Sequence, residues 1–256
     1  MVSDLESVSE RLSAAGFLAA DEESSELLQS SNGDPADLES RIARRLRGEP
    51  LAWITGFTTF CGIRIRVDSG VYVPRWQSEP LARRAATRLP HHGIAVDLCT
   101  GTGAIARTLL AEKPNARVVG TDIDERAVSC ARSNGIEALC GDLFAPLPLD
   151  LEGRVDVIIG VVPYVPTSSL PLLPRDTFDF ESPLAYDGGS EGLGVLRRVL
   201  EEGRPFLRPG GSVFIEVGGQ QAEMLQDDLA RLGFEDLMVF FDDDGDLRGL
   251  EGTRPA

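Results

Sequence analysis

The chain has 256 residues, a formal net charge of −16 and 42% hydrophobic residues. That length and apolar content suit one large domain, or one domain with a small appendage. No run approaches ~18 consecutive apolar residues, which argues against a membrane span, and the strong acidity would repel a phosphate backbone, which argues against nucleic acid as a partner.

The N-terminus is acidic and has no apolar core, so it does not read as a signal peptide. The four cysteines, Cys61, Cys99, Cys130 and Cys140, form no Cys-x-x-Cys pair, and His91 and His92 stand alone. No metal site is expected from this set, and reduced thiols point to a cytoplasmic protein.

Two helices are predicted early. "SDLESVSERLSAAGFL" places Leu5, Val8, Leu12 and Ala15 at helical spacing, and "ADLESRIARRLRG" repeats it with Leu38, Ile42 and Leu46 before Gly48. From Phe57 to Val73 the pattern turns β-rich: alternating Ile63, Ile65 and Val67, followed by Ser69-Gly70, suggest a hairpin. From about Pro80 strands and helices alternate. "GIAVDL", "ARVVGTD", "IEALC", "VDVIIG" and "GSVFIEVG" read as buried strands, and "FEDLMVFFDDDGDLRGLEGT" as a strand pair around Asp244-Gly245. The acidic run there lacks the ligand spacing of a calcium loop. This alternation predicts a doubly wound α/β sheet with its site at the carboxyl ends of the strands.

The strongest local signal is "VDLCTGTGA", Val96 to Ala104, where Gly101 and Gly103 permit a tight turn between strand and helix. It is neither a phosphate loop nor a full G-x-G-x-x-G, and alone it is a weak fingerprint. Asp122, at the end of the next strand, is placed to accept both hydroxyls of a ribose, since Asp124 holds the better helix-capping position. Asp142, after the third strand, could accept from an adenine amino group. A glycine turn with two such acids, and nothing for a pyrophosphate, fits S-adenosylmethionine better than a dinucleotide.

These segments, with "GEPLAWITGFTTFCGIRIRVDSGVYVPRWQSE", "GDLF", "VVPYVP", "GGSEGL" and "EVGGQQ" in that order, resemble the HemK/PrmC-type protein-(glutamine-N5) methyltransferases from about Gly48 onward. The resemblance implies a seven-stranded Rossmann-like class I methyltransferase sheet over residues 77–256, a β-hairpin linker over 57–76 and a small helical domain over 1–56. It implies cofactor contacts from Asp97, Cys99, Thr100, Gly101, Thr102, Gly103, Asp122, Ile123, Asp142 and Leu143. Arg75 and Glu79 of "PRWQSE", Glu181 and Tyr164 are implied as active-site lining.

One departure matters. The family carries Asn-Pro-Pro-Tyr after its fourth strand, and here the positions are Val161, Val162, Pro163 and Tyr164. An amide nitrogen is a poor nucleophile, and the family asparagine helps hold its N–H groups so that the nitrogen faces the methyl donor in line. Val161 has no such acceptor; the Val162 carbonyl and the Tyr164 ring remain. The expected activity is in-line methyl transfer to nitrogen. The acceptor is open between a protein glutamine and a small amide or guanidino metabolite, with nucleic-acid adenine a distant third and a non-catalytic cofactor binder the rival outside enzymes. If valine retunes the pocket, Glu79 and Glu181 are the carboxylates expected to hold a different nitrogen.

Overall fold

The computed structural model describes residues 5–173, 179–242 and 244–256. Four helices come first: α1 (Leu5–Ala14), α2 (Ala20–Ser30), α3 (Pro35–Leu46) and the short α4 (Leu51–Thr55). Val8, Leu12, Leu27, Leu38, Ile42 and Ile54 close a core of their own. Asp34 caps α3 through the Ala36 and Asp37 amides, with Pro35 at the first helical position. The helical spacing foresaw α1 and α3 but not α2, and Ala15 falls outside α1 and is exposed.

A hairpin follows, β1 (Phe57–Phe60) and β2 (Ile63–Arg66). Its turn lies at Cys61-Gly62 rather than Ser69-Gly70. Both turn residues have positive φ, 50° and 77°, the geometry that suits the twist of a two-residue hairpin. No Asn-Gly or Asp-Gly marked it. Glu79 stabilises it, accepting the Cys61 amide at 2.8 Å.

The remaining strands, β3 (Ile94–Leu98), β4 (Arg117–Asp122), β5 (Glu137–Cys140), β6 (Val155–Gly160), β7 (Leu207–Ile215), β8 (Glu235–Phe241) and β9 (Leu247–Thr253), form one seven-stranded sheet in the order β5-β4-β3-β6-β7-β9-β8. β9 alone runs antiparallel to its neighbours. The Asp242–Asp246 turn joining β8 to β9 forms as expected: Asp242 accepts the Asp246 amide and pairs with Arg248.

The central strands are buried on both faces, as a parallel sheet requires. Leu98, Ile158 and Ile215 face one core, with Leu196 and Leu200 of α8 (Gly194–Gly203) and Leu225 of α9 (Gln221–Arg231). Ile159 and Phe214 face the other, with Leu81 of α5 (Glu79–Arg88), Leu109 of α6 (Ala104–Glu112) and Val128 of α7 (Glu125–Ser133). Strand order reverses between β3 and β6, the position where such sheets open a crevice at their carboxyl ends. Among the described residues no helix is long and apolar enough to cross a membrane.

Candidate active site

The crevice is a cavity of about 910 Å³ lined by Gly101, Asp122, Ile123, Val161, Tyr164 and Glu216, among others. A small side pocket of about 40 Å³ adjoins it between the glycine turn and residues 72–78.

The glycine turn is held from beneath. Asp97, 1% exposed, accepts the Thr100 hydroxyl at 2.6 Å and the Ala106 amide at 3.2 Å, and burial pushes its carboxyl up to about 7. It supports the turn and reaches only the side pocket. Thr102 lines the same pocket. Thr100 closes the turn, its amide donating to the Thr121 carbonyl and its carbonyl accepting the Gly103 amide. A Cβ on Gly103 would stand 2.8 Å from Ile136, so glycine there lets α6 pack against its neighbours. Cys99 takes φ 52° and lines the cavity, where burial holds its thiol protonated.

Asp122 is fixed by two backbone donors, the Gly101 amide at 2.9 Å on Oδ2 and the Asp124 amide at 2.9 Å on Oδ1. Burial pushes its carboxyl above the ordinary range, and those amides pull it back. Asp124 takes the helix-capping role on α7, leaving Asp122 to face the cavity. Ile123, 66% exposed, forms an apolar wall beside it.

Asp142 and Leu143 follow β5 beside the cavity, where the Gly141 amide donates to the Asp122 carbonyl at 2.9 Å and the Asp142 charge acts on Cys99. Asp142 forms a two-pronged pair with Arg198 at 3.2 and 2.9 Å, and Leu143 is buried in the core. Neither lines the cavity. The sequence showed an acid after a third strand but not an arginine 56 residues on that would engage it.

At the corner after β6, Val161, Val162, Pro163 and Tyr164 all line the cavity. Two ties fix the corner. Gln221 donates to the Tyr164 carbonyl at 2.7 Å, and the Tyr164 hydroxyl donates to Glu216 Oε1 at 2.8 Å. Gly192 packs so closely that a Cβ there would stand 2.2 Å from the Tyr164 carbonyl oxygen.

Of the three expected lining charges only Arg75 enters the cavity. Glu181 is 4% exposed and fully engaged, accepting the Val73 amide at 2.8 Å, Arg75 at 2.7 Å and the Tyr186 hydroxyl. It positions Arg75 and Tyr186. Glu79 serves the hairpin turn and Arg83. Neither acid lines the cavity. Glu216, Gln77, Tyr72 and Arg248, none singled out from the sequence as a site residue, line the cavity instead. The rule that singled out Asp122, an acid at the carboxyl end of a buried parallel strand, would also have found Glu216.

A carboxylate anchored by backbone amides with an apolar wall beside it suits a nucleoside diol and repels a phosphate. This acceptor, on a seven-stranded sheet of this order, is the arrangement of a class I S-adenosylmethionine-dependent methyltransferase. The comparisons agree: a methyltransferase domain model matches residues 95–175, and the release factor glutamine methyltransferase of Geobacter sulfurreducens is 34% identical over 217 residues, 82% of this chain and 75% of that protein. The chain belongs to the release factor glutamine methyltransferase family, the HemK/PrmC group. A 4-amino-L-phenylalanine/4-methylamino-L-phenylalanine methyltransferase from Streptomyces pristinaespiralis is also similar, 35% identical over 191 residues, 70% of this chain and 65% of that one. In fold, the ribosomal protein L11 methylase of Lactobacillus delbrueckii subsp. bulgaricus matches with a TM-score of 0.54 at 20% identity, covering 75% of this chain and 86% of that one.

Proposed function

We propose that this enzyme methylates a nitrogen of a small amine or guanidine rather than a release-factor glutamine. The observation that carries this reading is Val161, an apolar side chain lining the cavity where the family resemblance places the amide-holding asparagine. The aromatic residues Tyr72, Tyr164 and Tyr186 around the same cavity give an acceptor an apolar enclosure. The aminophenylalanine-methylating relative supports a small acceptor on this scaffold. The runner-up, protein glutamine, is favoured by the names of the other similar proteins.

Asp122, Gly101 and Ile123 are the residues proposed to hold S-adenosylmethionine, with Cys99 at the turn beside them. Bound there, S-adenosylmethionine would supply a methyl group to an acceptor nitrogen in line, with S-adenosylhomocysteine as the leaving group. The chain's own contribution is to position the nitrogen and exclude water. The four free cysteines, Cys61, Cys99, Cys130 and Cys140, support a cytoplasmic placement.

The deciding experiment incubates purified protein and methyl-labelled S-adenosylmethionine with cell extract separated into protein and small-molecule fractions. Label is expected in a small amine or guanidine. Label in a release-factor glutamine would overturn the reading, as would none in either fraction. With a net charge of −16, no gel shift of duplex DNA is expected at ~0.15 M salt with micromolar protein. A shift that persists there would return nucleic acid to the list of acceptors.

A further inference from the structure

The register of the sheet places one carboxylate opposite the altered corner. Ile159 of β6 pairs with Phe214 of β7, and Gly160 with Ile215. Two residues beyond the first pair stand Val161 and Glu216. Side chains two apart along a strand share a face, so these two continue the face of Ile159 and Phe214, and both line the cavity. The Glu216 amide also donates to the Gly160 carbonyl at 3.2 Å, keeping the two strand ends together.

Glu216 is 6% exposed, and its two oxygens differ. Oε1 accepts the Tyr164 hydroxyl at 2.8 Å. Oε2 is buried and receives no hydrogen bond among the described residues. The Ser78 hydroxyl is the main neighbour favouring the charged form, through a hydrogen-bonding approach whose geometry falls short of a formed bond to Oε2 among the described residues. Gln77 Oε1, lining the same cavity, is likewise buried without a donor among the described residues. Two unmet acceptors in one cavity leave a site for a ligand that brings N–H groups, because a buried acceptor without a donor is costly.

We infer that Glu216 Oε2, with Gln77 Oε1, holds the N–H groups of the methyl acceptor and replaces the polar contact missing at Val161. The inference deepens the proposed reading of a small amine or guanidine and rests on it for the identity of the acceptor. A carboxylate does more than an asparagine can. After the methyl arrives, the acceptor nitrogen carries one positive charge and one surplus proton. Glu216 Oε2 takes that proton and becomes a neutral carboxyl, and the methylated nitrogen leaves neutral. Burial raises the carboxyl above its ordinary range, while Tyr164, Ser78 and Arg248 hold it back, which suits a group that must accept a proton. Tyr164 is the positioning residue, fixing Oε1 so that Oε2 points to the acceptor.

The test uses sinefungin, an analogue of S-adenosylhomocysteine with a charged amino group in place of the transferred methyl. It presents a cation at the acceptor site whatever the natural acceptor is. Calorimetry on wild type and Glu216→Gln compares its affinity with that of S-adenosylhomocysteine. The ratio of the two affinities is expected to fall roughly tenfold or more in the variant, with S-adenosylhomocysteine affinity held within about twofold. An unchanged ratio overturns the inference. Should the variant fail to bind S-adenosylhomocysteine, the wild-type ratio is measured from about pH 8 to about pH 5. It should fall as the carboxylate is protonated, with Tyr72, Tyr164 and Arg248 the other titratable groups facing it, and a flat ratio is the overturning result. The acceptor reading fails separately: label in a release-factor glutamine, with the sinefungin ratio still dependent on Glu216, removes the small amine but keeps the carboxylate's role.

Discussion

Asp122→Ala should weaken S-adenosylhomocysteine binding at least about a hundredfold. Ribose hydroxyls meeting an ionised carboxylate gain roughly 1.5–3 kcal/mol each, and two such contacts amount to two or more powers of ten in affinity. The variant also leaves the Gly101 and Asp124 amides without their acceptor, so the glycine turn loosens as the contact disappears. Asp122→Asn, which keeps one acceptor oxygen, should lie between the two. Burial holds the Asp122 carboxyl above the ordinary range. The ionised form is the better acceptor, so affinity is retained above that raised pKa and lost as pH falls through it. Calorimetry across pH on the three proteins reads all of this, and equal affinity for wild type and Asp122→Ala would remove Asp122 from the site.

Val161→Asn is the second large effect. In a pocket retuned around valine, an asparagine amide adds polar atoms to an apolar wall without a partner, at a cost of about 1–3 kcal/mol, or roughly five- to hundredfold in activity on the enzyme's own acceptor. The alternative is a weakened glutamine enzyme. There the same change restores one acceptor to a reacting group, worth up to about 3 kcal/mol and roughly a hundredfold gain on a release-factor peptide. Rates for both proteins on 4-amino-L-phenylalanine, arginine and that peptide separate the two. A gain on the peptide would remove the retuned pocket.

Local chemistry made most of the sheet legible. Buried apolar runs such as Val155–Gly160 and glycine punctuation at Gly101 and Gly103 announced strands and turn, and they stand where expected. The Cys61-Gly62 turn did not announce itself, because cysteine gives no sign of the left-handed conformation it adopts there. At the site, backbone-anchored groups were legible and partner-dependent ones were not. Asp122 faces the cavity because its own strand and the adjoining turn aim it there. Glu181 and Asp142 are captured by Arg75 and Arg198, which lie 106 and 56 residues away in sequence. Which acid remains available to a substrate is decided by tertiary pairing, so Glu79 and Glu181 drew attention while Glu216 did not.

The Glu181 clasp has a bearing on the cavity wall. It joins Val73 and Arg75 to Tyr186 through one buried carboxylate, across more than a hundred residues of chain, without adding a rung to the sheet. The pairing of β3 with β6 already closes most of that interval, so the clasp adds little closure entropy, and releasing it would leave a buried carboxylate unpaired. Arg75 and Tyr186, both in the cavity wall, are therefore held by one carboxylate that stands outside the sheet, so a change at Glu181 disturbs that wall without removing a strand contact.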